Sequence, residues 1–240
     1  MGRRCRSALT LSAKPPNSND HCAKHFLDKE IMLRLLLIRH GETDWNRDRR
    51  IMGRQEIGLN ETGRQQALAT QTALSRFSLD AMFSSPICRT RETAQILNEG
   101  RKLEIHYDER LVEIDYGAWI GKTFEEVRAM PGYVPYFERL ETPVAPEGET
   151  LFQVRDRAMS FIRELREARD EQSVAIVSHA DTIKCVLMNF LGIPFQNIWK
   201  FRIDNVSVSL LELDAQGRDR VICVNQRGDL DRLFVSKFAF

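Results

Sequence analysis

At 240 residues, 42% of them hydrophobic and 29% charged, the chain has the composition of one globular domain, which excludes wholesale disorder. With 35 Lys and Arg against 34 Asp and Glu, the formal charge is only +1, which excludes a chain-wide polyanion binder; no nucleic-acid partner is expected. No apolar run approaches the ~20 residues that span a bilayer, so no membrane partner is expected either.

The five cysteines, Cys5, Cys22, Cys88, Cys185 and Cys223, are odd in number and form no CxxC or CxxH pair. They predict reduced thiols in a cytoplasmic protein, with neither a disulfide framework nor a zinc site. The opening segment is basic and carries Pro15-Pro16, without the apolar core of a secretory signal. Residues 1–31 are therefore expected to be a loose N-terminal extension, with Met32 as a candidate alternative start, and residues 32–240 the functional domain.

Regular patterning begins at Leu33. Leu33 to Ile38 is a short continuous apolar run closed by a polar, glycine-containing turn, as in a strand buried on both faces. A helix is predicted from Asn60 to about Phe77, capped by Asn60, with Ala67, Leu68, Thr72 and Leu74 on or near its inner face. Asp80 to Ser85 reads as a second strand, Arg89 to Leu97 as a helix, and Leu103 to Tyr107 as a third strand. Pro131, Pro135, Pro143 and Pro146 break residues 122–149 into an irregular, partly helical excursion. Thr150 is predicted to cap an amphipathic helix whose stripe is Leu151, Val154, Ala158, Phe161, Ile162 and Leu165. Ser173 to Ser178 is a second doubly buried strand, followed by a helix that ends at Gly192 and Pro194. Val206 to Leu213 and Arg220 to Asn225 form the arms of a hairpin turned through residues 214–217. Strands alternating with helices predict a three-layer α/β/α fold around a mainly parallel sheet.

In such sheets a ligand lies beyond the carboxyl ends of the strands. Three polar clusters directly follow three predicted strands: Arg39-His40, Ser84 to Arg89, and His179. A histidine at a strand end can serve as base, metal ligand or nucleophile. The neighbouring Arg39 disfavours a cation and offers a planar fork of donors to a phosphate. Arg89 stands at the start of a helix, where free backbone N–H groups and the dipole already favour an anion. Three such clusters predict that two imidazoles and two guanidiniums converge on one crevice.

The segment Leu37-Ile38-Arg39-His40-Gly41-Glu42-Thr43-Asp44-Trp45-Asn46 resembles the signature of the histidine phosphatase superfamily, which includes the cofactor-dependent phosphoglycerate mutases. The likeness continues, in order, through Leu59 to Ala67, Ser84-Ser85-Pro86 with Arg89 and Thr93-Ala94, Glu113 to Trp119, Glu147 to Thr150, and Val177-Ser178-His179. It implies the phosphoglycerate mutase-like version of the fold just described. It also implies His40 as nucleophile, Arg39, Asn46, Arg89 and His179 as ligands of the phosphoryl oxygens, the N–H of Ala180 as a further contact, and Glu113 as proton donor. Arg54 and Tyr116 would face the substrate. No metal and no cofactor are implied.

The sequence departs from the pattern at Ala180-Asp181, where the family commonly has a glycine pair. Glu56, Gly58 and Ile120 also replace the usual residues. For Asp181 a helix cap is the expected role. Only residues 122–146 separate the Glu113 block from the Gly-Glu-Thr block, where mutases carry a long insertion. The resemblance therefore implies the compact phosphatase branch, acting on a small phosphorylated metabolite. A mutase and a non-catalytic phosphate-sensing protein are the alternatives. The C-terminal hairpin offers an edge along which a homodimer could pair.

Overall fold

The computed structural model describes residues 31–168, 172–214, 216–228 and 230. The N-terminal extension expected over residues 1–31 lies outside them, apart from Ile31. A six-stranded sheet runs in the order β3-β2-β4-β1-β5-β6. Its strands are β1 (Ile31–Arg39), β2 (Ala81–Ser84), β3 (Ile105–Tyr107), β4 (Gln172–Ser178), β5 (Val208–Asp214) and β6 (Arg220–Gln226). The pairs β1/β4, β2/β4 and β2/β3 are parallel, whereas β5 joins β1, and β6 joins β5, antiparallel. The sheet is thus mainly parallel with an antiparallel hairpin at one edge, as expected.

The alternation of side chains along β1 accounts for the layers. Leu33, Leu35 and Leu37 pack with Ala158, Phe161, Ile162 and Leu165 of α5 (Leu151–Ala168) and with Ile183, Val186 and Leu187 of α6 (Ala180–Leu191). Leu36 and Ile38 point the other way, against Ala67 and Leu74 of α2 (Glu61–Leu74) and Ala94 and Leu97 of α3 (Cys88–Asn98). Each fully buried Leu or Ile in these layers removes apolar surface worth roughly 1.5–3 kcal/mol from water. Two short helices, α1 (Asp44–Arg47) and α4 (Phe124–Arg128), lie in the connections.

Helix α2 starts as predicted, with Asn60 Oδ1 accepting from Gly63 N at 2.8 Å. It ends at Leu74 rather than Phe77, where the Arg101 guanidinium takes the carbonyls of Leu74 and Phe77. Leu68 is 39% exposed and Thr72 is exposed as well, because the buried stripe runs through Gly63, Ala67 and Leu74. The predicted stripe of α5 is buried throughout. Its cap is reciprocal: Gln153 N donates to Thr150 Oγ1 at 3.1 Å and Thr150 N to Gln153 Oε1 at 2.8 Å. Residues 122–149 contain α4 and one 3₁₀ turn at Tyr136–Glu138, the broken excursion that the prolines imply.

Candidate active site

Sheet register delivers the three clusters to one edge. Arg39 pairs with Ser178 across β1 and β4, and Ser84 with Val177 across β2 and β4. The ladder continues one residue further: His40 N donates to Ser178 O at 3.0 Å and Ser85 N to Val177 O at 3.0 Å. His40 and His179 leave their strands side by side, with ring centroids 5.3 Å apart. Both are buried.

Their tautomers follow from their partners. His40 Nδ1 lies 2.7 Å from Gly41 O, an acceptor, so Nδ1 carries the proton and Nε2 keeps a lone pair. His179 Nδ1 lies 3.1 Å from Arg89 Nη2, which can only donate; Nδ1 is therefore the acceptor and Nε2–H donates to Ser85 Oγ at 2.9 Å. Burial, followed by the charges of Arg89 and Arg39, pushes the His40 pKa well below its ordinary value. Burial and Arg89 act likewise on His179. Both rings are neutral at physiological pH.

The loop after His40 is clamped from both sides. Gly41 N donates to Thr93 Oγ1 at 3.0 Å, Asn60 N to Glu42 O at 3.0 Å, and Glu42 N to Gln66 Oε1 at 3.1 Å. A Cβ on Gly63 would lie 2.1 Å from Glu42 O, so the first turn of α2 can approach this closely only as glycine. Asn205 Nδ2 donates to His40 O at 3.0 Å and to Asn46 Oδ1 at 3.3 Å. Thr43 N donates to the same Oδ1 at 3.2 Å, and the Asn46 side-chain Nδ2 has no acceptor among the described residues.

Arg89 is fully buried. Its Nη1 donates to Gln55 O at 2.9 Å and its Nη2 to Gly53 O at 2.7 Å. Arg39 Nη1 donates to Ile203 O at 2.7 Å. The Nε of each is buried with no partner among the described residues, as are those of Arg139 and Arg166 outside the site. Burial lowers the Arg89 pKa to about 10, which still leaves it charged at neutral pH. Ala180 is the first residue of α6, so its N–H belongs to the set that a helix leaves without an internal acceptor. Two cations and a helix N-terminus beside a neutral imidazole make a site for a tetrahedral anion.

Glu113 is 8% exposed. Its Oε1 accepts from Ile114 N at 3.0 Å and Thr182 N at 3.3 Å, and its Oε2 from Asp181 N at 3.5 Å. Burial, then the Asp181 charge, raises its pKa above the usual carboxylate range. Arg54 Nε donates to Glu113 O at 3.3 Å while Nη2 pairs with Glu149 Oε1 at 2.7 Å; its side chain stays 40% exposed at the rim.

One sequence expectation needs correction. Asp181 is not the cap of α6: His179 holds the cap position, and the Asp181 carboxylate is buried and accepts from Tyr116 Oη at 2.5 Å. Glu56, one of the departures, takes the N–H of Cys88 at 2.9 Å and so caps α3 from the loop. Sequence reasoning gave no role to Asn205, Thr182, Thr93 or Ser85. The last two stand inside quoted motifs, whereas Asn205 and Thr182 carry no signal beyond being polar. Among the described residues no group of three or more His, Cys, Asp or Glu side chains could hold a metal ion.

A sequence profile described as histidine phosphatase superfamily (branch 1) matches residues 35–226. Phosphoserine phosphatase 1 of Hydrogenobacter thermophilus is 35% identical over 208 residues, covering 85% of this chain and 97% of that protein. Among solved structures, a phosphoserine phosphatase of Entamoeba histolytica bound to 3-phosphoglyceric acid superposes with a TM-score of 0.76 at 28% identity, covering 83% of this chain and 100% of the other. The alpha-ribazole phosphatase of Shigella flexneri gives 0.72 at 27% identity, covering 81% and 97%. Profile, relatives and fold agree with the strand-end pocket that the side chains build, and this chain belongs to branch 1 of the histidine phosphatase superfamily.

Proposed function

We propose that the chain hydrolyses small phosphomonoesters through a covalent phosphohistidine on His40 Nε2. The observation that carries this reading is the His40 ring itself, fixed by Gly41 O with its lone pair on Nε2 beside the guanidiniums of buried Arg89 and half-buried Arg39. Nε2 attacks phosphorus, the ester P–O bond breaks, and Glu113 gives its proton to the leaving oxygen. Water then attacks the phosphohistidine, returning a proton to Glu113; the P–N bond breaks and inorganic phosphate leaves. Arg39, Arg89, Asn46 and the Ala180 N–H hold the non-bridging oxygens, arranged before the charge shifts, and His179 Nε2–H exchanges Ser85 Oγ for a phosphoryl oxygen when substrate binds. Arg54 reaches the substrate beyond the phosphoryl group.

Relatives named as phosphoserine phosphatases, one holding 3-phosphoglyceric acid, support a small metabolite carrying a phosphomonoester. The finer expectations, a cytoplasmic location and a homodimer paired along the edge strand β6, belong to the same reading. Light scattering checks the dimer. The described cysteines, Cys88, Cys185 and Cys223, are unpaired thiols, which fits a reducing compartment.

The test is to incubate the protein with ³²P-labelled O-phosphoserine and 3-phosphoglycerate, quench in base and count label on protein. Wild type should carry base-stable label and release phosphate. His40→Ala should carry none and lose on the order of 10⁴-fold or more in turnover. Conversion of 3-phosphoglycerate to 2-phosphoglycerate with its bisphosphate present would instead make the chain a mutase. Binding without turnover would make it a phosphate sensor.

A further inference from the structure

The first turn of α6, whose N–H groups hold the Glu113 carboxyl, carries a second buried carboxylate, Asp181. Both oxygens of Asp181 are satisfied: Tyr116 Oη donates to Oδ2 at 2.5 Å and Lys184 Nζ to Oδ1 at 3.1 Å. The backbone N–H groups of Asp181 and Thr182 in turn hold the two oxygens of Glu113. Thr182 Oγ1 is anchored on Val112 O at 2.7 Å, which ties the turn to the segment that bears Glu113. A carboxylate placed here merely for the helix dipole would need neither burial nor a tyrosine partner.

We propose that Asp181 is a positioning residue for proton transfer at Glu113, a fixed negative charge that disfavours ionisation of its neighbour and so keeps the leaving-group proton in place. The inference rests on the phosphatase reading above. Two carboxyls in one low-dielectric pocket cannot both ionise cheaply, and the one with better partners keeps the charge. Burial pushes Asp181 up, but Lys184 and the Tyr116 hydroxyl outweigh it and hold Asp181 below the usual carboxylate range, opposite to Glu113.

Other charges around Glu113 act in the reverse sense. Arg89 on α3 and Arg39 at the end of β1 favour its ionised form. The guanidiniums of Arg54 and Arg157 bind its backbone oxygen. Tyr136 from residues 122–149, half-buried, and Cys185 on α6, buried, lie close by; desolvation raises both their pKa values, so they are neutral. Glu149 pairs with both Arg54 and Arg157, so among the described residues Asp181 is the anion set against Arg39 and Arg89 at the Glu113 carboxyl.

The test compares kcat/KM against pH for wild type and Asp181→Asn on two esters. An alkyl phosphate such as glycerol 2-phosphate needs a protonated Glu113 for its leaving group, whereas p-nitrophenyl phosphate needs little help. In Asp181→Asn the alkaline limb for the alkyl ester should move to lower pH by about one unit, a roughly tenfold loss at a fixed pH on that limb. The aryl ester should change far less. An unmoved limb, or equal losses on both esters, overturns the proposal, because a purely structural role would depress both alike. If Asp181→Asn fails to fold, Asp181→Ser carries the test with the same sign. A neutral side chain there should again move the limb to lower pH, and an unmoved limb again overturns the proposal. Wild type that turns over neither ester sinks the phosphatase reading instead. Wild type that turns over both, with the limb fixed in the variants, sinks only this inference.

Discussion

The strand-end crevice and the excursion over residues 122–149 are built on different principles. In the crevice, buried polar groups take their places from backbone: His40 from Gly41 O, Arg89 from Gln55 O and Gly53 O, and Glu113 from the first turn of α6. In the excursion, aromatic rings pack on one another, Tyr133 with Trp119 at 5.9 Å and Phe137 with Trp199 at 6.3 Å, and the Trp199 side is 59% exposed. Hydrogen bonds to backbone fix direction as well as distance, whereas ring packing tolerates sliding. Substitutions in the crevice should therefore act on kcat, and substitutions in the excursion on KM.

Arg89→Lys is the sharpest way to break that contrast. Lysine keeps the charge but cannot reach Gln55 O, Gly53 O and His179 Nδ1 together from one planar group. A fall of about 10²–10³ in kcat, with KM nearly constant, is expected from losing one such preorganised donor. A variant within threefold of wild type would mean that charge alone matters here and that the fixed geometry does not.

Legibility divides along the same line. The apolar run of β1 names a doubly buried strand because both faces of a central parallel strand meet helices, and Leu35 and Leu36 bear this out on opposite sides. Polar residues just past such strands are readable as crevice groups, since register in a parallel sheet brings strand ends together without knowledge of the loops. Asp181 was misread because position after a strand suggests a cap, while Tyr116, 65 positions away in sequence, claims its carboxylate. Asn205 was not readable at all. It sits in the turn before β5, where Val206 has a φ of +53° and its N–H reaches back to Arg39 O, a geometry that no local pattern announces. The excursion was legible only as a break, because prolines mark where helices stop and say nothing of which rings meet.

Gly63→Ala tests the clamp on the loop after His40, and its sign is decisive. Inside a helix, alanine should stabilise by about 1 kcal/mol over glycine. Here the new Cβ would meet Glu42 O at 2.1 Å and Glu42 N at 2.6 Å, so loop or helix must shift. A net loss of about 1–3 kcal/mol in denaturant unfolding is expected, with kcat reduced because Gly41 moves with Glu42. A stabilised variant with full activity would show that the close approach is not needed.

The smallest effect is expected in the excursion. Tyr133→Ala removes the ring that packs on Trp119, an aromatic pair worth roughly 0.5–1.5 kcal/mol beyond area burial. Trp119 belongs to the same buried cluster as Tyr116, whose hydroxyl holds Asp181, which links the ring to Glu113 through the first turn of α6. Sliding of neighbouring rings should absorb the change before it arrives there. KM for a small phosphomonoester should then rise a few-fold, on the order of the energy of that pair, with kcat and the alkaline limb of the pH profile unmoved. A shift in the limb would show that the excursion is coupled to Glu113 through Tyr116, and that the two regions act as one.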